Sequence, residues 1–202
     1  SDGVHMDLDS SVDGDQLAGA VSGMEDTAIA LNISGGLNDS SETASITISG
    51  VPAGAFLSAG IKNDDGTWTL DPMNGDMDNL TITPAPDSDA DFTLTVTATS
   101  TDEGDTATMV GTIDVSVAAD ADAPTLDLNP DVDGNQLTGT ASGVEDTAIA
   151  LDISASLSDT DGSETLGLAI SGVPAGAVLS AGTPVTQDNG TTTWTITAED
   201  IA

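Results

Sequence analysis

The residues best suited to chemistry in this 202-residue chain are carboxylates. In the stretch LSDTDGSET, Leu157 to Thr165, Asp159, Asp161 and Glu164 fall within six residues, separated by hydroxyl side chains and Gly162. Acids this close repel one another unless positive charge sits among them. No lysine or arginine lies nearby: 35 Asp and Glu stand against a single such residue, Lys62, for a formal net charge of -34. A hard divalent cation is the other way to neutralise the cluster. Ca²⁺ suits a loose set of oxygen donors, while Mg²⁺ demands a tighter octahedron. The spacing is not that of an EF-hand, whose loop needs glycine at its sixth position and glutamate at its twelfth; Gly162 is the fourth residue counted from Asp159. A solvated acidic turn, rich in Asp and Gly for backbone reasons, is the competing reading. The shorter stretch LNDSSET, Leu37 to Thr43, with Asn38, Asp39 and Glu42, offers fewer donors.

The charge excludes several partners. Nucleic acid requires a basic face, and direct binding to an anionic membrane requires basic residues too. Two uses of the acids stay open: a solubility surface for a salty medium, and cation binding. Without cysteine, thiol chemistry, disulfides and thiolate metal sites are ruled out. That absence leans bacterial for an extracellular chain, since eukaryotic domains of this kind often carry disulfides. One His, one Lys and no Cys remove most nucleophile and base combinations, so catalytic residues are expected to be none. No apolar run is long enough to span a membrane and no signal peptide is evident. The opening SDGVHM reads as a tag remnant or fragment start, which leaves His5 a poor ligand candidate.

The chain repeats itself. GMEDTAIAL at 23–31 returns as GVEDTAIAL at 143–151, and ISGVPAGAFLSAG at 48–60 as ISGVPAGAVLSAG at 170–182. DLDSSVDGDQL at 7–17 matches DLNPDVDGNQL at 127–137, and Trp68 is echoed by Trp194. A tandem unit of this length marks a domain array, not a short-period solenoid. The second copy lacks counterparts of NLTITPAP, DFTLTVTATST and ATMVGTIDVSV. Expected boundaries are 1–6 for the remnant, 7–119 for repeat 1, 120–124 for an acidic linker, and 125–202 for an incomplete repeat 2. The missing part is explained either by where the fragment was cut or by an insertion splitting the domain.

These carboxylates must be positioned by strands. Phe92–Thr99, Thr112–Val117, Ala148–Leu157 and Thr193–Thr197 alternate apolar and polar residues with period two, and Gly, Asp, Asn and Pro punctuate them. TAEDIA at the end is a helical turn at best. The expected fold is all-β: tandem antiparallel β-sandwiches, the second truncated. Trp68 and Trp194 are expected in the cores, and the GVPAGA segments as turns. With strands lettered in immunoglobulin order, Glu25 and Asp26 precede strand B, and Asp87, Asp89 and Asp91 lie between strands E and F. Both sets fall at the end of repeat 1 nearest the linker, which itself adds Asp120 and Asp122. The loop with Asp159, Asp161 and Glu164 falls at the near end of repeat 2. Ca²⁺ is therefore expected at the junction, with Glu25, Asp26, Asp87, Asp89, Asp120, Asp122, Asp159, Asp161 and Glu164 as candidate ligands. The turns with Asp13 and Asp15, and with Asp131 and Asp133, are weaker candidates. Asp102, Glu103 and Asp105 lie at the other end of repeat 1.

The combination VEDTAIALDISASLSDTDGSETLGLAISGVPAGAVLSAG resembles the tandem extender repeats of giant type I-secreted bacterial adhesins, the RTX adhesins or biofilm-associated proteins. The resemblance covers nearly the whole chain. It implies Ig-like or cadherin-like sandwiches, Ca²⁺ at the junctions, an extracellular location at the bacterial cell surface, and a stalk role in adhesion and biofilm formation. Asp120, Asp122 and Pro124 are similar to the acidic-proline linker of cadherins; Glu25 matches the cadherin glutamate before the core strands, and Asp159 with Asp161 its Asp-x-Asp pair. The glycine-rich nonapeptides and the C-terminal secretion signal of the family are not in this sequence.

The expected function is a calcium-rigidified spacer projecting a distal binding domain, with neighbouring repeats of the same chain as partners. The alternatives are a ligand-binding module for glycan, ice or a cell surface, or a split domain flanking an inserted ligand-binding domain. Few aromatics argue against a sugar site, and irregular turns against ice. Carboxylate-pair glycoside hydrolysis lacks aromatic platforms. An unfinished second sandwich exposes strand edges, so self-association through it is expected.

Overall fold

A computed structural model describes residues 4–9, 14–37, 42–188 and 190–201. The chain divides into two compact units, Ser1–Asp120 and Ala121–Ala202. Apart from one four-residue helix, the regular structure among the described residues is β, and none of its helices is long and apolar enough to cross a membrane.

The first unit contains β1 (Val4–Asp7), β2 (Ala18–Met24), β3 (Ile29–Ala30), β4 (Ser34–Leu37), β5 (Thr43–Ser49), β6 (Phe56–Leu57), β7 (Ile61–Lys62), β8 (Trp68–Leu70), β9 (Thr81–Thr83), β10 (Phe92–Asp102) and β11 (Asp105–Ala118). Six of these form one sheet in the order β2-β11-β10-β5-β8-β7. Two small sheets, β1-β4 and β3-β9-β6, complete the unit. The backbone of the large sheet is organised by the β10–β11 hairpin, which pairs from Phe92 with Val115 out to Asp102 with Asp105. β5 adds antiparallel to β10, and β2 adds parallel to β11.

Period-two patterning decides which face turns inward. Along β10, Leu94, Val96 and Ala98 are buried while the threonines between them are not; along β11, Ile113, Val115 and Val117 do the same. They share one core with Met6, Ile29, Leu31, Ile46, Ile48, Trp68, Leu70 and Ile82 from all three sheets. Burying each such aliphatic side chain contributes about 1.5–3 kcal/mol, and the arrangement is consistent with a β-sandwich. The expected boundary at residue 7 falls inside β1: Val4 and Met6 are core residues, so residues 4–6 belong to the folded unit.

The second unit contains β12 (Thr125–Asp127), β13 (Ser154–Ser156), β14 (Gly167–Val173), β15 (Thr183–Thr186), β16 (Thr192–Thr197) and α1 (Ala198–Ile201). β12 pairs with β13, and β14-β16-β15 form a three-stranded sheet. α1 is capped by Asp200, whose carboxylate accepts hydrogen bonds from the N–H and Oγ1–H of Thr197. The strand expected over Ala148–Leu157 shrinks to Ser154–Ser156. The reason is a missing partner. In the first unit the matching residues Ile29 and Ala30 pair with β9, and the second copy has no counterpart of β9. Likewise, residues 138–144, the counterparts of β2, form no strand, because β2 is held by β11. Among the described residues of this unit the buried hydrophobic side chains are Trp194 and Ile196.

Candidate metal-binding carboxylates

In the first unit the acids are gathered by loops at the end of the sandwich where β11 runs out. Glu25 follows β2 directly, and its N–H donates to the carbonyl of Ala118, fixing the end of β2 on the end of β11. Its carboxylate Oε1 then accepts the backbone N–H of Asp120 at 2.6 Å. Glu25 is 1% exposed. Asp26 adopts a left-handed backbone, φ 55°, and so does Asp87, φ 53°; aspartate tolerates this region better than most residues. Asp26 Oδ1 accepts the N–H of Asp87 at 3.3 Å. Asp89 lies in the same β9–β10 loop and is exposed.

Asp91 behaves differently from its neighbours in that loop. Its Oδ1 accepts the N–H of Val117 at 2.8 Å and its Oδ2 the hydroxyl of Ser116 at 3.5 Å. It therefore clamps the entrance of β10 to β11 and is a structural acid. Asp102, Glu103 and Asp105 lie at the opposite end of the hairpin, the length of β10 away.

In the second unit the loop expected to bind a cation folds as consecutive side-chain-to-backbone turns. Asp159 Oδ1 accepts the N–H of Asp161 at 2.7 Å, and Asp161 Oδ1 accepts the N–H of Ser163 at 2.8 Å. Asp159 Oδ2 accepts the Ser163 hydroxyl at 3.2 Å. Gly162 takes φ 106°, which a side chain would strain. The loop then reaches back onto the linker. Glu164 Oε1 accepts the N–H of Asp122, and the Ser158 hydroxyl donates to the carbonyl of Ala123 at 2.8 Å. Asp159 is 1% exposed, Asp161 is exposed, and the buried Oε2 of Glu164 has no hydrogen-bond partner among the described residues.

These environments are costly for bare anions. A buried carboxylate requires compensation by charge or by hydrogen bonds, and the second unit contains no Lys, Arg or His at all. Within the first unit Asp26 and Asp87, and within the second Asp159 and Asp161, bring carboxylate oxygens within 4.8 Å of each other, close enough to share a metal ion. Acidic donors of this kind select hard cations such as Ca²⁺ or Mg²⁺ over softer ones.

The turns that carry the weaker candidates are held by other acids. Asp7 Oδ1 accepts the N–H groups of Asp9 and Gln16, and Asp127 Oδ1 those of Asn129 and Gln136, so each copy holds its first long turn by the same device. Asp131 and Asp133 are exposed beside that turn. Asp13, Asn38 and Asp39 lie outside the described residues. Glu42, the counterpart of Glu164, is buried. The structural role of Asp7 and Asp127 was signalled only by their matching places in DLDSSVDGDQL and DLNPDVDGNQL. Asp71 and Asp76 form a further acidic turn: Asp71 Oδ1 accepts the N–H of Met73, and Asp76 Oδ2 that of Asp71.

Compared with known proteins, the chain matches no family model and no curated relative.

Proposed function

We propose that this chain is a spacer segment of a large bacterial cell-surface adhesin. It is built of immunoglobulin-like domains and stiffened by Ca²⁺ at the carboxylates that hold its linker. One observation carries the reading. The linker backbone is gripped from both sides by acids: Glu25 takes the N–H of Asp120, and Glu164 that of Asp122. Covalent geometry keeps those two linker residues within about 7 Å of each other. Without a cation the linker carries mutually repelling charge; with Ca²⁺ the same oxygens become ligands and the linker backbone is held in one conformation.

Several features support the finer parts of this reading. The parallel pairing of β2 with β11, next to an antiparallel β10–β11 hairpin and β5, suits an immunoglobulin-like sandwich, as does β1 pairing apart with β4. The resemblance of the repeat to adhesin extenders supports the extracellular stalk. A chain with one His, one Lys and no Cys suits a non-enzymatic role.

Extracellular modules commonly bind Ca²⁺ at about 10⁻⁴–10⁻³ M. At about a hundredfold excess over Kd, one site adds about 2.7 kcal/mol to folding stability. A Ca²⁺ titration followed by calorimetry and small-angle scattering tests the proposal. A rise in Tm with a longer or stiffer particle is expected. No change in either at 10 mM Ca²⁺, taken as about a tenfold to hundredfold excess, would reduce the acids to a solubility surface.

A further inference from the structure

The connection between β8 and β9 carries the dipeptide Asn74–Gly75. Asn74 is exposed, beside a Met73 that is 76% exposed. Its own N–H donates to the Asp71 carbonyl at 3.1 Å, and the N–H of Asp76 reaches the same carbonyl at 3.4 Å. Between them, the Gly75 N–H and the Asn74 side-chain amide make no hydrogen bond among the described residues. Gly75 takes φ 81° and has no side chain to shield its nitrogen. The chain holds a second such dipeptide, Asn189–Gly190. Asn189 lies outside the described residues, but the N–H of Gly190 is engaged, donating to the Gln187 carbonyl at 2.9 Å. Gly66, which follows Asp65, is tied in the same way to the Asn63 carbonyl at 3.0 Å.

A base stands beside the open N–H. Asp78 is held over Gly75 by its own N–H, which donates to the Gly75 carbonyl at 3.0 Å. A Cβ on Gly75 would stand 3.2 Å from Asp78 Oδ2, with nothing else but the Asp78 carboxyl carbon close by. Cβ and N hang from the same Cα, so that carboxylate lies within one bridging water of the Gly75 N–H. A general base needs this reach, directly or through one water. The turn therefore brings together an unengaged nucleophile, an unengaged side-chain amide as electrophile, and a carboxylate to take the proton.

We propose that Asn74 is a self-modification site, which the folded chain converts to aspartate and isoaspartate through the Gly75 nitrogen with the help of Asp78. The Asp78 carboxylate takes the Gly75 proton as the nitrogen attacks Asn74 Cγ. A C–N bond forms, the Cγ–Nδ2 bond breaks, and Nδ2 leaves as ammonia with that proton. Water then opens the cyclic succinimide at either carbonyl, which restores a backbone N–H and leaves one new carboxylate. Nothing is oxidised or reduced, and water is the sole co-reactant. A hydrogen bond on the attacking N–H must be broken first, so Gly190 and Gly66 are held back where Gly75 is not. Selection between the two Asn–Gly pairs is thus a property of the fold. The product adds an acid to a turn that already carries Asp71, Asp76 and Asp78, so the charge of this turn depends on the age of the molecule. None of this depends on the spacer reading.

The test holds the folded chain at neutral pH and body temperature in EDTA, beside a sample unfolded in urea, and follows both asparagines by peptide mass spectrometry. In the folded chain Asn74 should gain the mass of an amide-to-acid conversion about tenfold faster than Asn189, while in urea the two rates should converge. Asp78→Asn should slow the conversion of Asn74 in the folded chain and leave it unchanged in urea. An Asn74 that keeps its amide in the folded chain would overturn the proposal, whatever happens in urea. Equal folded-state rates at Asn74 and Asn189 would overturn it as well, because the hydrogen bond of Gly190 would then count for nothing. A folded-state rate unmoved by Asp78→Asn would overturn the part assigned to that carboxylate.

Discussion

Glu25 accepts a hydrogen bond of 2.6 Å from the backbone N–H of Asp120, 95 residues further along the chain. This one contact ties the turn before β3 to the first linker residue after β11, and it does so with a buried anion. Removing the acceptor leaves the Asp120 N–H to find another partner, which costs about 1–3 kcal/mol when the group stays buried. Glu25→Ala is therefore expected to lower the stability of the first unit by that order in EDTA. Glu25→Gln, which keeps an acceptor and removes the charge, should cost less. Urea unfolding of the two variants checks this, and equal effects would show that the hydrogen bond itself is unimportant.

Asp159 gives the opposite pattern. It is buried in a unit without a basic residue, so its charge is a burden until a cation arrives. Asp159→Asn should weaken Ca²⁺ binding at least tenfold by calorimetric titration, or about 1.4 kcal/mol. In EDTA the same variant should be as stable as the parent chain or more so. An unaltered Ca²⁺ isotherm would remove Asp159 from the ligand set.

Two isoleucines in nearly identical local sequences should respond differently to truncation. Ile29→Ala empties a core site and is expected to cost about 2–5 kcal/mol. Ile149→Ala, at a residue nearly half exposed, should stay within about 1 kcal/mol. Exchange of amides in each unit reads the two effects separately. A comparable loss at Ile149 would mean that its side chain is covered in solution.

Two exposed acids predict a pH dependence. Hydrogen bonds from the Thr67 hydroxyl and N–H hold the Asp65 carboxyl below its ordinary 3.8, and those from the Thr197 N–H and hydroxyl do the same for Asp200. Because each folded value is depressed, its contribution is fully present above 3.8 and is lost as pH falls through the lower folded value. Carboxyl NMR titration should show both midpoints below 3.8, and Thr67→Val should raise that of Asp65. A midpoint for Asp65 unmoved by that substitution would remove the Thr67 hydroxyl as the cause.

Much of this was legible in order along the chain. Alternation in FTLTVTAT and TIDVSV marks β10 and β11 because a half-buried strand needs period two, and TAEDIA allows the single helical turn of α1 because the Asp200 carboxylate can accept from Thr197 at its start. The acidic loop from Asp159 to Glu164 was equally plain, since side-chain-to-backbone turns depend on residues two positions apart. The role of Asp91 was not legible. Its clamp on Val117 and Ser116 depends on strand pairing across 26 residues, which no local pattern encodes.

What the sequence alone determined, then, is everything carried by near neighbours: strand periodicity, turns, the repeat, and an acid content that leaves cations as the natural counter-charge. What only the tertiary structure decided is which copies of those features are completed. GMEDTAIAL and GVEDTAIAL make the same turn, yet Glu25 is buried and Glu145 exposed, Ile29 is core and Ile149 lines an open cleft. The difference lies in β9, β10 and β11, strands some 50 to 90 residues away in sequence. A strand's hydrogen bonds and its apolar face are satisfied only by a partner brought from a distance, so identical segments reach different ends when one copy has that partner and the other does not.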